Sequence, residues 1–282
     1  MNYRHAYHAG NFADVLKHIC IIALIESLTK KEKPFCYLDT HAGAGIYDLL
    51  SLETEKTKEY LTGIEKVIAC DNPPAIVKTY LDCVHSINNR YSDAEYASLR
   101  YYPGSPMLAR HFLRGQDRMV LCELHLEEYQ TLKKTFGGDK QVAVHHSDGY
   151  LGLKAFLPPE EKRGLILIDP PYEDPDEFSR IAQTMPIALK RFAGGIFAIW
   201  YPIKEKAHLT RFHHALKENI AQDIFIAELS IYPDLPHHLN GCGMAVINPP
   251  WQFDTLMQAT LPWLWKALTI NNQGAFEAFL LK

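Results

Sequence analysis

The chain has 282 residues, 47% of them apolar and 22% charged, and a formal net charge of −4. That length suits one large α/β domain or two modest ones, and without a run of about 18 apolar residues it excludes a membrane-spanning helix. The mildly acidic total excludes bulk electrostatic coating of nucleic acid, although a basic face fits inside it.

The N-terminus lacks the basic start, apolar stretch and small-residue cleavage site of a secretory signal, so a cytoplasmic protein is expected. Cys20, Cys36, Cys70, Cys83, Cys122 and Cys242 form no C-x-x-C pair. Several sit in apolar runs, where reduced thiols behave as small hydrophobes.

The first informative stretch is YRHAYHAGNFADVLKH, residues 3–18. His5 and His8 are spaced like metal ligands, but zinc needs three or four, and His18 and His41 have no cysteine partner at short spacing. No metal is expected. Asn11 and Asp14 mark a helix start, and Phe12, Val15, Leu16, Ile19, Ile22 and Ala23 recur at helical spacing as far as about residue 28. Lys17 and His18 therefore lie on a helix.

FCYLDTHAGAG follows: a short buried strand at 35–38, then a loop at 39–45 whose glycines, Gly43 among them, let backbone approach a nucleotide. Further strand-like runs occupy 118–123, 142–149, 164–172 and 195–202, with helical patterns at 126–136, 151–156, 178–192 and 204–220. Such alternation predicts a parallel sheet with right-handed crossovers. Runs at 223–233 and 243–251 are separated by too few residues for a helical crossover and should pair antiparallel. The expected sheet has seven strands, five parallel and then a hairpin.

In a nucleotide-binding βαβ unit the ribose-binding acid lies roughly 20 residues beyond the glycine loop. Here the first strand-end acid is Glu123, so the intervening residues imply a small helical insertion. We place it at 48–100, with helical stretches at 53–68, 74–88 and 93–99, and the main domain at 1–47 and 101–282.

Three strand ends carry acids. Glu123 can accept both ribose hydroxyls, or it can be a solvated acid. Asp148, in HSDG, can take an adenine amino group, or it can form an Asp-Gly turn. In ILIDPPY a buried strand runs into Asp169-Pro170-Pro171-Tyr172, whose path the prolines make rigid. That geometry suits an acid and a carbonyl accepting from one exocyclic amino group while Tyr172 stacks on the base. INPPW, at 248–251, has the same form, but its strand runs the other way, so Asn248 is assigned a structural role.

These features together resemble the class I S-adenosylmethionine-dependent methyltransferases, and DPPY is similar to the motif of adenine-N6 and related amino methyltransferases. More narrowly, YRHAYHAGNFADVLKH, YLDTHAGAG, YYPGSP, GLILIDPPYE, WYP and INPPW resemble the ribosomal RNA large subunit methyltransferase J family, which methylates N6 of one adenine in 23S rRNA. The resemblance covers essentially the whole chain. It implies a Rossmann-like α/β fold and an S-adenosylmethionine pocket touched by His18, His41, Ser105, Glu123, Asp148, Gly149 and Asp169. It also implies catalysis by Asp169 and a substrate side that includes Tyr3 with Lys17; the residues themselves add Pro170 and Tyr172 to the catalytic turn, Tyr172 also as a base contact, and Arg4 to the RNA side. S-adenosylhomocysteine would be the product, and the partner would be 23S rRNA, naked or early in assembly, met by a monomer. The alternatives are the same chemistry on DNA or another RNA, a nucleotide-binding oxidoreductase, and a non-catalytic RNA-binding protein with a decayed pocket.

Overall fold

The computed structural model describes residues 4–92, 98–236 and 238–281. After one 3-10 turn at His5–Tyr7, helix α1 (Phe12–Thr29) starts where the Asn11 side chain accepts hydrogen bonds from the backbone N–H groups of Ala13 and Asp14, each at 3.0 Å. This is an N-cap, as the sequence suggests. Apolar residues occupy every side of α1 rather than one stripe, the mark of a helix buried all round. Lys17 and His18 are consequently buried as well.

The chain continues through β1 (Cys36–Asp39), β2 (Ile46–Asp48), α2 (Leu52–Thr57), α3 (Ile64–Ile68), α4 (Ala75–Tyr91), β3 (Tyr101–Pro103) and α5 (Ser105–Phe112). Then come β4 (Arg118–Glu123), α6 (Leu126–Phe136), β5 (Val142–His146), α7 (Gly149–Phe156), β6 (Gly164–Ile168) and α8 (Glu177–Arg191). The last elements are β7 (Ile196–Ile203), α9 (Lys206–Asn219), β8 (Ile224–Ser230), β9 (Gly241–Ile247), α10 (Phe253–Leu268) and β10 (Ala275–Leu281).

The main sheet has the order β10-β8-β9-β7-β6-β1-β4-β5. Its five strands from β5 to β7 are parallel, and β9 runs antiparallel between β7 and β8. Five parallel strands and a closing hairpin are as expected. The count of seven is corrected to eight: β10 pairs antiparallel with β8, from Ala275↔Ser230 to Leu281↔Ile224. Its partner lies far back in the chain, and no local pattern of AFEAFLL announces that pairing.

Alternate residues of the strands feed two apolar layers. Tyr37, Met119 and Leu121 join the layer that contains α1, whereas Leu38, Val120 and Cys122 join the layer under α7 and α8. Helix α1 packs against α4, α5, α10 and β9.

Strands β2 and β3 pair antiparallel, Ile46↔Pro103 to Asp48↔Tyr101, so the chain departs and returns at one point. Between them the expected long helix at 53–68 is broken: Lys58 adopts φ +51° and a 3-10 turn at Glu59–Thr62 separates α2 from α3. Residues 93–97 of the expected helix at 93–99 lie outside the described residues. Val77, Tyr80 and Val84 of α4, with Ile64 and Val67 of α3, share the apolar layer of α1.

Strands β4 and β6 flank β1 on opposite sides, so the crevice beyond their carboxyl ends is the switch point where α/β sheets bind ligands. There β1 ends in Asp39, β4 in Glu123, and β6 is followed directly by Asp169.

Candidate active site

A cavity of about 360 Å³ opens at that crevice. The β1 loop contributes His41, Ala42 and Gly43, the start of α5 contributes Ser105, and β4 contributes Glu123. Asp14 and Lys17 come from α1, and Asp169, Pro170 and Tyr172 from the turn after β6.

Gly43 has φ +60°, and a Cβ there would stand 2.3 Å from the Tyr47 hydroxyl. Any other side chain is strained there, and the Gly43 backbone N–H donates to Glu123 Oε2 at 2.7 Å. Glu123 Oε1 accepts from the His125 N–H at 2.7 Å, so two backbone groups fix a carboxylate that is only 4% exposed. Deeper in the crevice, Asp39 accepts from Ser105 Oγ at 2.7 Å and from the Tyr37 hydroxyl at 3.0 Å. Burial pushes the Asp39 pKa up to about 6, against the pull of these two hydrogen bonds.

On the other side Lys17 Nζ stands 2.7 Å from Asp169 Oδ2 and 2.8 Å from Asp14 Oδ1. Burial opposes the lysine charge, but the two carboxylates outweigh it and hold the pKa of the ammonium above its ordinary value. Asp14 in turn accepts on Oδ2 from the Gly10 N–H at 2.9 Å and lies 2.9 Å from His5 Nε2. Burial works against its charge too, yet His5 and Lys17 hold its pKa well below the usual carboxylate range. Tyr172 adopts φ +51° and donates its hydroxyl proton to the Trp200 carbonyl at 2.7 Å, with its ring against Phe178 and Trp200.

The crevice thus gathers His41, Gly43, Ser105, Glu123, Asp169, Pro170, Tyr172 and Lys17 of the expected residues. Four others stand apart from its lining. His18 is fully buried, its Nδ1 3.0 Å from the Tyr102 hydroxyl, and Nε2 has no hydrogen-bond partner among the described residues. Burial lowers its pKa to about 3, so the imidazole is neutral. Asp148 lies two residues past β5 rather than on it: Oδ1 caps α7 by accepting from Tyr150 and Leu151, and Oδ2 pairs with Arg180 at 2.9 Å. Gly149 packs on the loop just past β1, where a Cβ would come within 2.2 Å of the Thr40 carbonyl. Arg4 is tied to Glu127 of α6 and stands 3.7 Å from Glu53 of α2. Tyr3 lies outside the described residues.

The sequence reading missed several cavity residues. Asp14 was visible as an i,i+3 partner of Lys17. Glu128 lines the same cavity with Oε2 lacking a hydrogen-bond partner among the described residues, and burial and then Glu123 raise its pKa. Trp200 belongs to the WYP run but gave no local sign of its place.

Five parallel strands, an inserted antiparallel strand, a glycine loop and a DPPY turn at the crevice define a class I methyltransferase. The particular family follows from comparison. The family described as "Ribosomal RNA large subunit methyltransferase D, RlmJ" matches residues 32–279. "Ribosomal RNA large subunit methyltransferase J" of Escherichia coli (strain K12) is 45% identical over 275 residues, covering 97% of this chain and 96% of that protein. The protein of the same name from Haemophilus influenzae is 42% identical over 277 residues, 98% of this chain and 97% of that one. The crystal structure of protein LPL1258 from Legionella pneumophila is similar at a TM-score of 0.86 and 39% identity, covering 97% of each chain. The chain belongs to this methyltransferase family, whose chemistry takes a methyl donor of the S-adenosylmethionine type.

Proposed function

We propose that the chain transfers a methyl group from S-adenosylmethionine to N6 of one adenine in large-subunit 23S rRNA, releasing S-adenosylhomocysteine. We further place the reaction in the cytoplasm, on RNA that is naked or early in assembly, and carried out by a monomer with residues 48–100 as a helical insertion. The observation that carries the reading is the position of Asp169 and Pro170 at the carboxyl end of β6, in one cavity with Gly43 and Glu123.

The residues present fit the donor. Gly43 leaves open a cradle that a Cβ would fill, and His18 Nε2 is a buried polar atom with no hydrogen-bond partner among the described residues. Glu123 keeps lone pairs beyond the two it uses, which suits ribose hydroxyls. His18, His41, Gly43, Ser105, Glu123, Asp169, and Asp148 with Gly149, are the proposed cofactor set. When bound, the donor supplies an electrophilic methyl group on its sulfonium.

The protein's own task lies on the other side. The lone pair of an adenine amino nitrogen is conjugated with the ring, so N6 is a weak nucleophile and its orientation is much of the barrier. Asp169 and the Pro170 carbonyl accept the two N6 hydrogens and turn the lone pair toward the methyl group. Tyr172 offers the aromatic wall for a base flipped from its RNA context, a step that costs a few kcal/mol and less for an unpaired base. Lys17 holds Asp169 in place through their 2.7 Å ion pair. As N6 gains positive character its protons become acidic, and Asp169 takes one. Tyr3, Arg4 and Lys17 make up the proposed RNA side.

The test is methylation of unmodified large-subunit rRNA with labelled S-adenosylmethionine, followed by digestion and mass spectrometry. One N6-methyladenine is expected. Label on another atom, or on DNA alone, would overturn the reading.

A further inference from the structure

The charges in the crevice form a chain. Asp169 meets Lys17 at 2.7 Å, Lys17 meets Asp14 at 2.8 Å, and Asp14 meets both His5 and the Gly10 N–H at 2.9 Å. Asp14 is 1% exposed as a residue yet lines the cavity. In the loop before α1 the Gly10 N–H donates to its carboxylate, and its other two contacts, His5 and Lys17, are side chains that line the same cavity.

We propose that Asp14 is a positioning residue for methyl transfer: it shares the Lys17 ammonium with Asp169 and so leaves Asp169 free to grip the target amino group. The inference rests on the function proposed above. Asp169 has two competing partners, the Lys17 ammonium and the N6 hydrogens of the base. A lysine with a single carboxylate partner would commit to Asp169, because a buried ammonium left unpaired is costly. A second carboxylate at nearly equal distance divides that attraction. When the amino group arrives, Lys17 can rest on Asp14 without leaving a charge unpaired. The Gly10 N–H and His5 hold Asp14 in place for this.

Groups around this chain bear on it from several elements. Besides His5 and Lys17, the charge of Asp14 is felt by His8 just after the first 3-10 turn, Glu59 in the second, His18 from α1, Tyr80 from α4, Tyr102 from β3 and Cys242 from β9. Among the described residues the carboxylates paired with Lys17 Nζ are Asp14 and Asp169, so the division of its charge falls to Asp14.

The experiment compares the full chain with Asp14→Asn, Lys17→Met and the double variant, on unmodified large-subunit rRNA. Asp14→Asn is expected to lower kcat about 100-fold, the size of effect that misplacing one reacting group produces, with KM for RNA and the Kd of S-adenosylmethionine within about twofold. Added to Lys17→Met it should cost little more, since the lysine it restrains is gone. Additive losses, or an unchanged kcat, would overturn the proposal. Asp14→Ala, which opens onto the cavity, is assayed with and without formate, and restoration of kcat by the small carboxylate is the expected result. If Asp14→Asn fails to bind S-adenosylmethionine, the formate arm decides, and no rescue sinks the idea. Methylation by the unaltered chain is the control: its absence would mean that the proposed function, not the role of Asp14, has failed.

Discussion

Two turns in this molecule have the same local form, an acceptor followed by two prolines and an aromatic residue. Asp169-Pro170-Pro171-Tyr172 ends β6, and Asn248-Pro249-Pro250-Trp251 ends β9. The first lies in the crevice, with Asp169 on a buried lysine and the Tyr172 hydroxyl on a strand carbonyl. At the second, the Asn248 amide donates to the carbonyls of Ala193 at 2.9 Å and Gly195 at 2.8 Å, while Trp251 is 86% exposed. Strand direction separates them: β6 is parallel to β1 and β9 is reversed, so the two turns emerge at opposite edges of one sheet. A motif has chemistry only where the topology brings partners to it.

The sharpest way to break this contrast is at the acceptors. Asp169→Ala should reduce kcat by about 10²–10⁴-fold, the range for losing a positioned acid–base group, with S-adenosylmethionine binding largely kept. Asn248→Ala should leave kcat unchanged in the same assay. Equal losses at both turns would erase the distinction.

At the crevice the glycine loop offers the next effect. Gly43→Ala places a Cβ 2.3 Å from the Tyr47 hydroxyl at φ +60°. The strain should weaken S-adenosylmethionine binding at least about tenfold by calorimetry.

A buried carboxylate without a lysine sharpens the comparison further. Glu228 on β8 accepts from the Tyr201 hydroxyl at 2.7 Å and lies 3.4 Å from His213 Nε2. Burial pushes its pKa up to about 7, the Tyr201 hydrogen bond opposes this, and Glu277 adds to the rise. A carboxyl whose folded pKa is raised favours the native state below its unfolded value and loses that contribution as pH climbs through the folded one. Glu228→Gln should therefore melt higher than the parent at pH 8, by on the order of 1–2 kcal/mol, and no higher at pH 4. Equal shifts at both pH values would show that the charge is not what costs stability there.

The smallest effects belong to the far turn. Asn248→Ala removes two donors to loop carbonyls and should destabilise by about 1 kcal/mol in denaturant melts. Trp251→Ser should stay within about 0.5 kcal/mol, as exposed substitutions do.

Periodicity and strand-end chemistry are local, and they were legible. The N-cap at Asn11, the alternation of strands with helices, the closing hairpin, and the DPPY turn with Glu123 and Gly43 at the crevice could all be read from short runs. Even the structural place of Asn248 followed from counting strand directions. Assignments that depend on what a side chain meets across the fold were not legible. Asp148 reads as a strand-end acid, yet its strand stops at His146 and its oxygens go to α7 and Arg180. The pairing of β10 with β8, the break at Lys58, and the gathering of Asp14, Glu128 and Trp200 into the crevice also needed tertiary structure. The sequence by itself determined the class of fold and the turn that bears the acceptor, because backbone pattern and proline stiffness act within a few residues. Only the tertiary structure decided that Lys17 stands between two carboxylates, because that balance of burial against charge involves groups 152 residues apart.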